Sequence, residues 1–87
     1  MTRVRVPSPL FSYTEGRADL EADGPTLDAL MAGLDRKYPG LRFRVINEQD
    51  RIRPTILFHV NGRIVRDLST PVGGEDEVTI VAALSGG

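Results

Sequence analysis

Gly86 and Gly87, the last residues of the sequence, carry the group best suited to chemistry. Two glycines leave a carboxylate on a thin, flexible thread without side chains. From Leu84 to Gly87 that thread extends roughly 13 Å, at about 3.3–3.6 Å per residue. A carboxylate carried in this way can enter a narrow active site on another protein. The same two residues also fit a frayed terminus, where small residues collect. The segments that precede them must separate the two readings.

Other reactive groups are scarce. There is no cysteine, hence no disulfide, no thiolate nucleophile and no Cys-based metal site. His59 is the one histidine, which excludes a multi-His metal site. Asp76 and Glu77 are adjacent carboxylates, but neighbours along a strand point to opposite faces and do not form an acid–base pair. Gly73-Gly74 is an internal turn and has no free carboxylate. No nucleophile–base pair and no metal cluster emerges, so the chain is not expected to be an enzyme in its own right.

The 87 residues amount to one domain with one modest core. Hydrophobic content of 40% and charged content of 26% are those of a globular protein. A net charge of −1 provides no general field for nucleic acid. Ten of the eleven basic residues are Arg; the other is Lys37. No apolar run approaches the ~18 residues of a membrane span, and the first residues lack an apolar signal core. A cytoplasmic protein with no membrane partner is the expectation.

The elements that must position the diglycine are legible in order. Arg3-Val4-Arg5-Val6 alternates as a half-buried strand does, and Pro7 and Pro9 end it. Leu10-Phe11 returns apolar contact to the core, and Thr14-Glu15-Gly16 makes a turn. Ala18–Ala22 alternates again, which predicts an antiparallel pair with the first strand. Thr26 caps a helix whose apolar face is Leu27, Leu30, Met31, Leu34 and Tyr38. Asp28 and the Arg36-Lys37 pair suit its two dipole ends, and Pro39-Gly40 stops it. Gly33 inside the helix suggests close approach to the sheet. Leu41–Pro54 fits neither period and is expected to be irregular, with a helical turn near Leu41–Ile46 and an exposed turn at Asn47–Asp50. Arg42, Arg44, Arg51 and Arg53 make this the most basic stretch, which reads as solvated arginines around a loop.

Thr55–Val60 is a strand, Asn61-Gly62 the preferred pair for a type I′ hairpin turn, and Arg63–Arg66 the return strand. Glu77–Leu84 is long, β-branched and apolar on both faces, as suits the centre of a sheet. Two hairpins flank one helix in an α+β, two-layer domain. The first strand is placed beside the last, making the sheet mixed and aiming the tail away from the body. The domain is expected to span 1–84, with a flexible tail at 85–87.

This order resembles the ubiquitin-like β-grasp fold: a mixed four- to five-stranded sheet packed on one main helix. Specific stretches are similar to the MoaD/ThiS family of sulfur carrier proteins. They are Thr26-Leu27, Tyr38-Pro39-Gly40-Leu41-Arg42, Val60-Asn61-Gly62-Arg63, Thr70-Pro71-Val72, Asp76-Glu77-Val78-Thr79-Ile80 and the final Gly86-Gly87. Length and the Leu41–Pro54 insertion lean toward the molybdopterin-synthase small subunit and the cysteine-biosynthesis carriers, away from the short thiazole-pathway carriers. The tail Ala82-Ala83-Leu84-Ser85-Gly86-Gly87 departs from the family's usual Pro-Ala-Val-Ala-Gly-Gly.

The resemblance implies a protein substrate acted on by partner enzymes. The Gly87 carboxylate is the site of adenylation and then of the thiocarboxylate, and Gly86 gives clearance. An adenylating enzyme of the MoeB/ThiF type, like the ubiquitin activators, supplies ATP and any metal, so the chain itself binds no cofactor. A sulfur-accepting biosynthetic enzyme, of molybdopterin, cysteine or a related product, is the second partner. Leu57, Val81, Leu84 and Ser85 are the candidate contacts for these partners; core packing is the competing role for the apolar three. His59 beside them reads as an outer-face residue. A ubiquitin-like modifier that forms isopeptide bonds, or an interaction module with an inert tail, would share the same sequence features.

Overall fold

The strand Glu77–Ala82 lies at the centre of a five-stranded sheet in the computed structural model, which describes residues 1–82. We number the strands β1 (Thr2–Arg5), β2 (Asp19–Ala22), β3 (Ile56–Val60), β4 (Arg63–Val65) and β5 (Glu77–Ala82). The sheet order is β2-β1-β5-β3-β4. Only β1 and β5 run parallel; β1–β2, β3–β4 and β3–β5 are antiparallel. The mixed sheet, its central last strand and the neighbouring first strand match the sequence reading.

Helix α1 (Leu27–Lys37) crosses one face. The Thr26 hydroxyl accepts from the Ala29 amide at 3.2 Å, satisfying one free donor of the first turn. Leu27, Leu30, Met31 and Leu34 are fully buried against Val4, Phe58, Val78 and Ile80 in one core. Gly33 is the price of proximity: a Cβ there would lie 3.2 Å from the Asp23 carbonyl oxygen and 3.7 Å from the Ala22 Cβ. At the helix end the Asp35 carboxylate accepts from the amides of Gly40 and Arg42, both at 3.1 Å, with Gly40 at φ 95°.

One element differs from the sequence reading, and one matches the helical turn expected near Leu41–Ile46. Ser8–Tyr13, expected as a loop, is a 3-10 helix with proline in its first turn, where a missing N–H costs nothing. Leu41–Val45 is a short helix, α2, and Ile46 then bridges Ile52 around the Asn47–Asp50 turn. The arginines there are not merely solvated. Arg42 binds Asp28 at 2.7 Å and Asp50 at 3.3 Å, which raises its pKa, chiefly through the Asp28 hydrogen bond. Arg44 stacks on Tyr13 and Arg53 on Phe43.

Gly24 is packed more tightly than its sequence context suggests. A Cβ would fall 2.5 Å from the Leu30 nitrogen and 2.7 Å from the Ala29 carbonyl carbon, both helix backbone. Gly24→Ala therefore has to displace α1. The expected loss is roughly 1–3 kcal/mol of unfolding free energy in urea, as for other overpacked sites. A neutral result would show that the chain before α1 runs elsewhere.

Asn61 and Gly62 have φ of 52° and 86°, the signs a type I′ turn needs. The turn is tied to the start of β5. Asn61 Nδ2 donates to Asp76 at 2.8 Å, Asn61 Oδ1 accepts from the Glu77 amide at 2.9 Å, and Asp76 also accepts from the Gly73 amide at 2.8 Å. These bonds favour the ionised form and hold the Asp76 carboxyl below the usual range, Asn61 contributing most. A depressed folded pKa stabilises the fold above the unfolded value, near 3.9, and that contribution is lost as pH falls through the folded value. Asp76→Ala should lower the Tm at pH 7, and its deficit against wild type should close as pH drops below about 4. A deficit independent of pH would assign the loss to packing alone.

Candidate functional site

The end of β5 defines the site. Ala82 is paired with Ile56 in the last rung of the β3–β5 ladder, and it packs on the core. At this point β5 is held by β3 alone, since its rungs with β1 end at the Arg5–Thr79 pair. Leu84, Ser85, Gly86 and Gly87, and with them the expected 84/85 boundary, lie outside the described residues.

Alternation sorts the strands around this exit into two faces. Val78, Ile80, Ile56 and Phe58 point at α1 and are buried. Val81 and Leu57 point the other way, face each other in register, and are half-buried outside the core cluster. Neither residue belongs to the core cluster among the described residues. His59 lies on the same outer face, between Thr79 and Ile64. Ile64 was not among the sequence candidates. It is 54% exposed and extends the apolar patch of Leu57 and Val81. The signal was available, because a two-residue hairpin at Asn61-Gly62 pairs Ile64 with His59 and puts both on one face.

Beside this patch, at the sheet edge next to β4, a groove of about 490 Å³ opens. Its walls come from residues 50–54, the start of β3 and residues 65–68, so Leu57 belongs to both the patch and the groove. Three separate segments build it, and no local motif announces it. Among the described residues no group of three or more His, Cys, Asp or Glu side chains could hold a metal ion. Asp76 and Glu77 do not act as a pair: Asp76 is spent on Asn61 and Gly73, at the opposite end of β5 from Ala82. No helix among the described residues is long and apolar enough to cross a membrane.

The fold and the exit of its last strand can be compared with known proteins. A family model described as the ThiS family matches residues 4–87, from within β1 through the terminal diglycine. The chain belongs to the ThiS family. The sulfur carrier protein CysO of Mycobacterium tuberculosis is 30% identical over 89 residues, spanning 97% of this chain and 96% of the relative. The crystal structure of CysO from the same species superposes with a TM-score of 0.90 at 28% identity, covering 97% of this chain and all of the other. The Amycolatopsis orientalis BexX/CysO complex contains a chain that matches with a TM-score of 0.93 at 28% identity, each chain being fully covered. This ThiS-family chain thus has the ubiquitin-like β-grasp fold anticipated from its sequence.

Proposed function

We propose that this chain is a sulfur carrier whose Gly87 carboxylate is the reactive group. One observation carries the reading: the ThiS-family match runs through residue 87, so the diglycine is part of the matched region rather than an addition to it. In sequence it follows closely on the central strand, whose last described rung, Ile56–Ala82, gives the tail its root.

The chemistry follows from the carboxylate. A carboxylate oxygen of Gly87 attacks the α-phosphorus of ATP on a MoeB/ThiF-type adenylating enzyme, and pyrophosphate leaves. Sulfide (HS⁻) then attacks the acyl carbon of the adenylate, the C–O bond to AMP breaks, and AMP leaves. The product is a thiocarboxylate, which passes its sulfur to an acceptor enzyme. ATP and any metal belong to the adenylating enzyme. Gly86 leaves room for the acyl carbon to approach the nucleotide. Leu57 and Val81, with Ile64, form the apolar face against which the partners seat, and Leu84 and Ser85 are the contacts proposed nearer the carboxylate in the sequence. Similarity to CysO favours an acceptor in cysteine biosynthesis.

Intact-mass spectrometry tests this directly. The chain is incubated with its adenylating enzyme, ATP and a sulfide donor. A gain of about 16 Da, one oxygen replaced by sulfur, is expected. Recovery of neither this species nor an adenylate would sink the reading.

A further inference from the structure

We propose that the groove beside the root of the tail receives an acidic segment of the adenylating enzyme. This deepens the carrier reading and rests on it.

The groove has an apolar floor, in which Ile52, Ile56 and Leu68 take part, and a rim of three arginines, Arg51, Arg53 and Arg66. Its two carboxylates are already engaged. Asp50 is bound by Arg42 at 3.3 Å, and Asp67 accepts from the amide and hydroxyl of Ser69 at 2.9 and 2.7 Å. None of the three rim arginines has a carboxylate partner among the described residues. Arg53 is held in place: its Nε donates to the Phe43 carbonyl at 2.7 Å, and its guanidinium lies 4.6 Å from the centre of the Phe43 ring. The outer nitrogens of that planar fork make no hydrogen bond among the described residues, and the fork is pre-organised for a carboxylate.

The charge is local and it is placed by the topology. The chain as a whole carries a net charge of −1. Glu21, Glu75, Asp76 and Glu77 gather at the end of the sheet where β5 begins, outnumbering Arg3 and the Met1 amino group beside them. The arginine rim stands where β5 ends, beside the Ile56–Ala82 rung. Acidic groups therefore prevail at the pole where β5 begins, and arginines without a carboxylate partner among the described residues make the pole at Ala82 the positive one. An enzyme that draws in the tail meets the positive pole. A complementary acidic segment there would orient the approach and repel the reverse one. Since Leu57 is shared, the segment would be continuous with the partner surface that covers the outer-face patch.

The measurement is carrier-dependent ATP–pyrophosphate exchange by the ThiF-type adenylating enzyme of the same genome. Arg51→Gln/Arg66→Gln is compared with wild type and with a charge-matched control, Arg17→Gln/Arg36→Gln, placed away from the groove. All four side chains are exposed, so unchanged Tm values are expected. The groove variant should raise KM at least about tenfold with kcat within about twofold, and should lose most of the wild-type rise of KM with salt. A KM and salt response equal to those of the control would overturn the groove assignment while exchange with wild type upholds the carrier reading. So would an effect confined to the later sulfur-transfer step, which would give the groove to the acceptor enzyme. No exchange with wild type would overturn the carrier reading itself, and the groove assignment with it.

Discussion

A chain lacking Gly87 should unfold at the wild-type temperature yet give neither adenylate nor thiocarboxylate. Stability should be unaffected because Gly87 has no side chain to pack, and the last core contact of β5 among the described residues is Ala82. The deleted residue lies five positions beyond it. Activation is another matter. The truncated chain still ends in a glycine carboxylate, at Gly86, so the functional group is preserved and only its reach changes. Reach falls by about 3.3–3.6 Å, one residue of extended chain. In-line attack on phosphorus needs reacting atoms about 3–3.5 Å apart, and an error of 1 Å costs on the order of 10²-fold. A deficit of a whole residue, measured from a root fixed by the Ile56–Ala82 rung, should exceed that. The assay is intact-mass spectrometry after incubation with the adenylating enzyme, ATP and sulfide, alongside a thermal melt. Undiminished thiocarboxylate on the shortened chain would remove Gly87 from the chemistry and favour an inert tail.

Much of the scaffold behind that tail was legible because its signals are local. Thr26 supplies a cap oxygen at the position where a first helical turn lacks a partner. Asn61-Gly62 supplies two positive φ angles where the hairpin needs them. The double-sided apolar pattern of the last strand announces a central position, which β5 holds between β1 and β3. What was not legible depends on residues distant in sequence. Arg42 reads as one more solvated arginine until Asp28 and Asp50 converge on it from either side. Ser8–Tyr13 reads as a loop because its prolines end β1, yet the same prolines suit the first turn of a helix. For Leu57 and Val81 the sequence left core and surface open; only the register, which sets them opposite each other on the face away from α1, decides between them. The groove is the extreme case, since its arginines and its floor come from three stretches with no shared pattern.

That two-faced reading of β3 has a second large consequence. Phe58 is fully buried, opposite Ile80 on β5 and Val65 on β4, and it is the largest buried side chain of the sheet's inner face. Phe58→Ala removes its apolar area and leaves a cavity that a sheet pinned on both sides closes poorly, a loss of about 3–5 kcal/mol. A chain of 87 residues has a total stability of roughly 4–13 kcal/mol at 0.05–0.15 kcal/mol per residue. The variant should therefore melt on the order of 15–30 °C lower, or fail to fold at 37 °C. Leu57, its immediate neighbour, is half-buried on the opposite face. Leu57→Ala should cost only about 1 kcal/mol, in keeping with partial apolar burial. Urea unfolding of both variants measures the difference. It also reports on function, because β3 anchors the rung from which the tail departs. If the two substitutions cost the same, Leu57 would have to face the core, and the outer-face patch could not be the surface on which a partner seats.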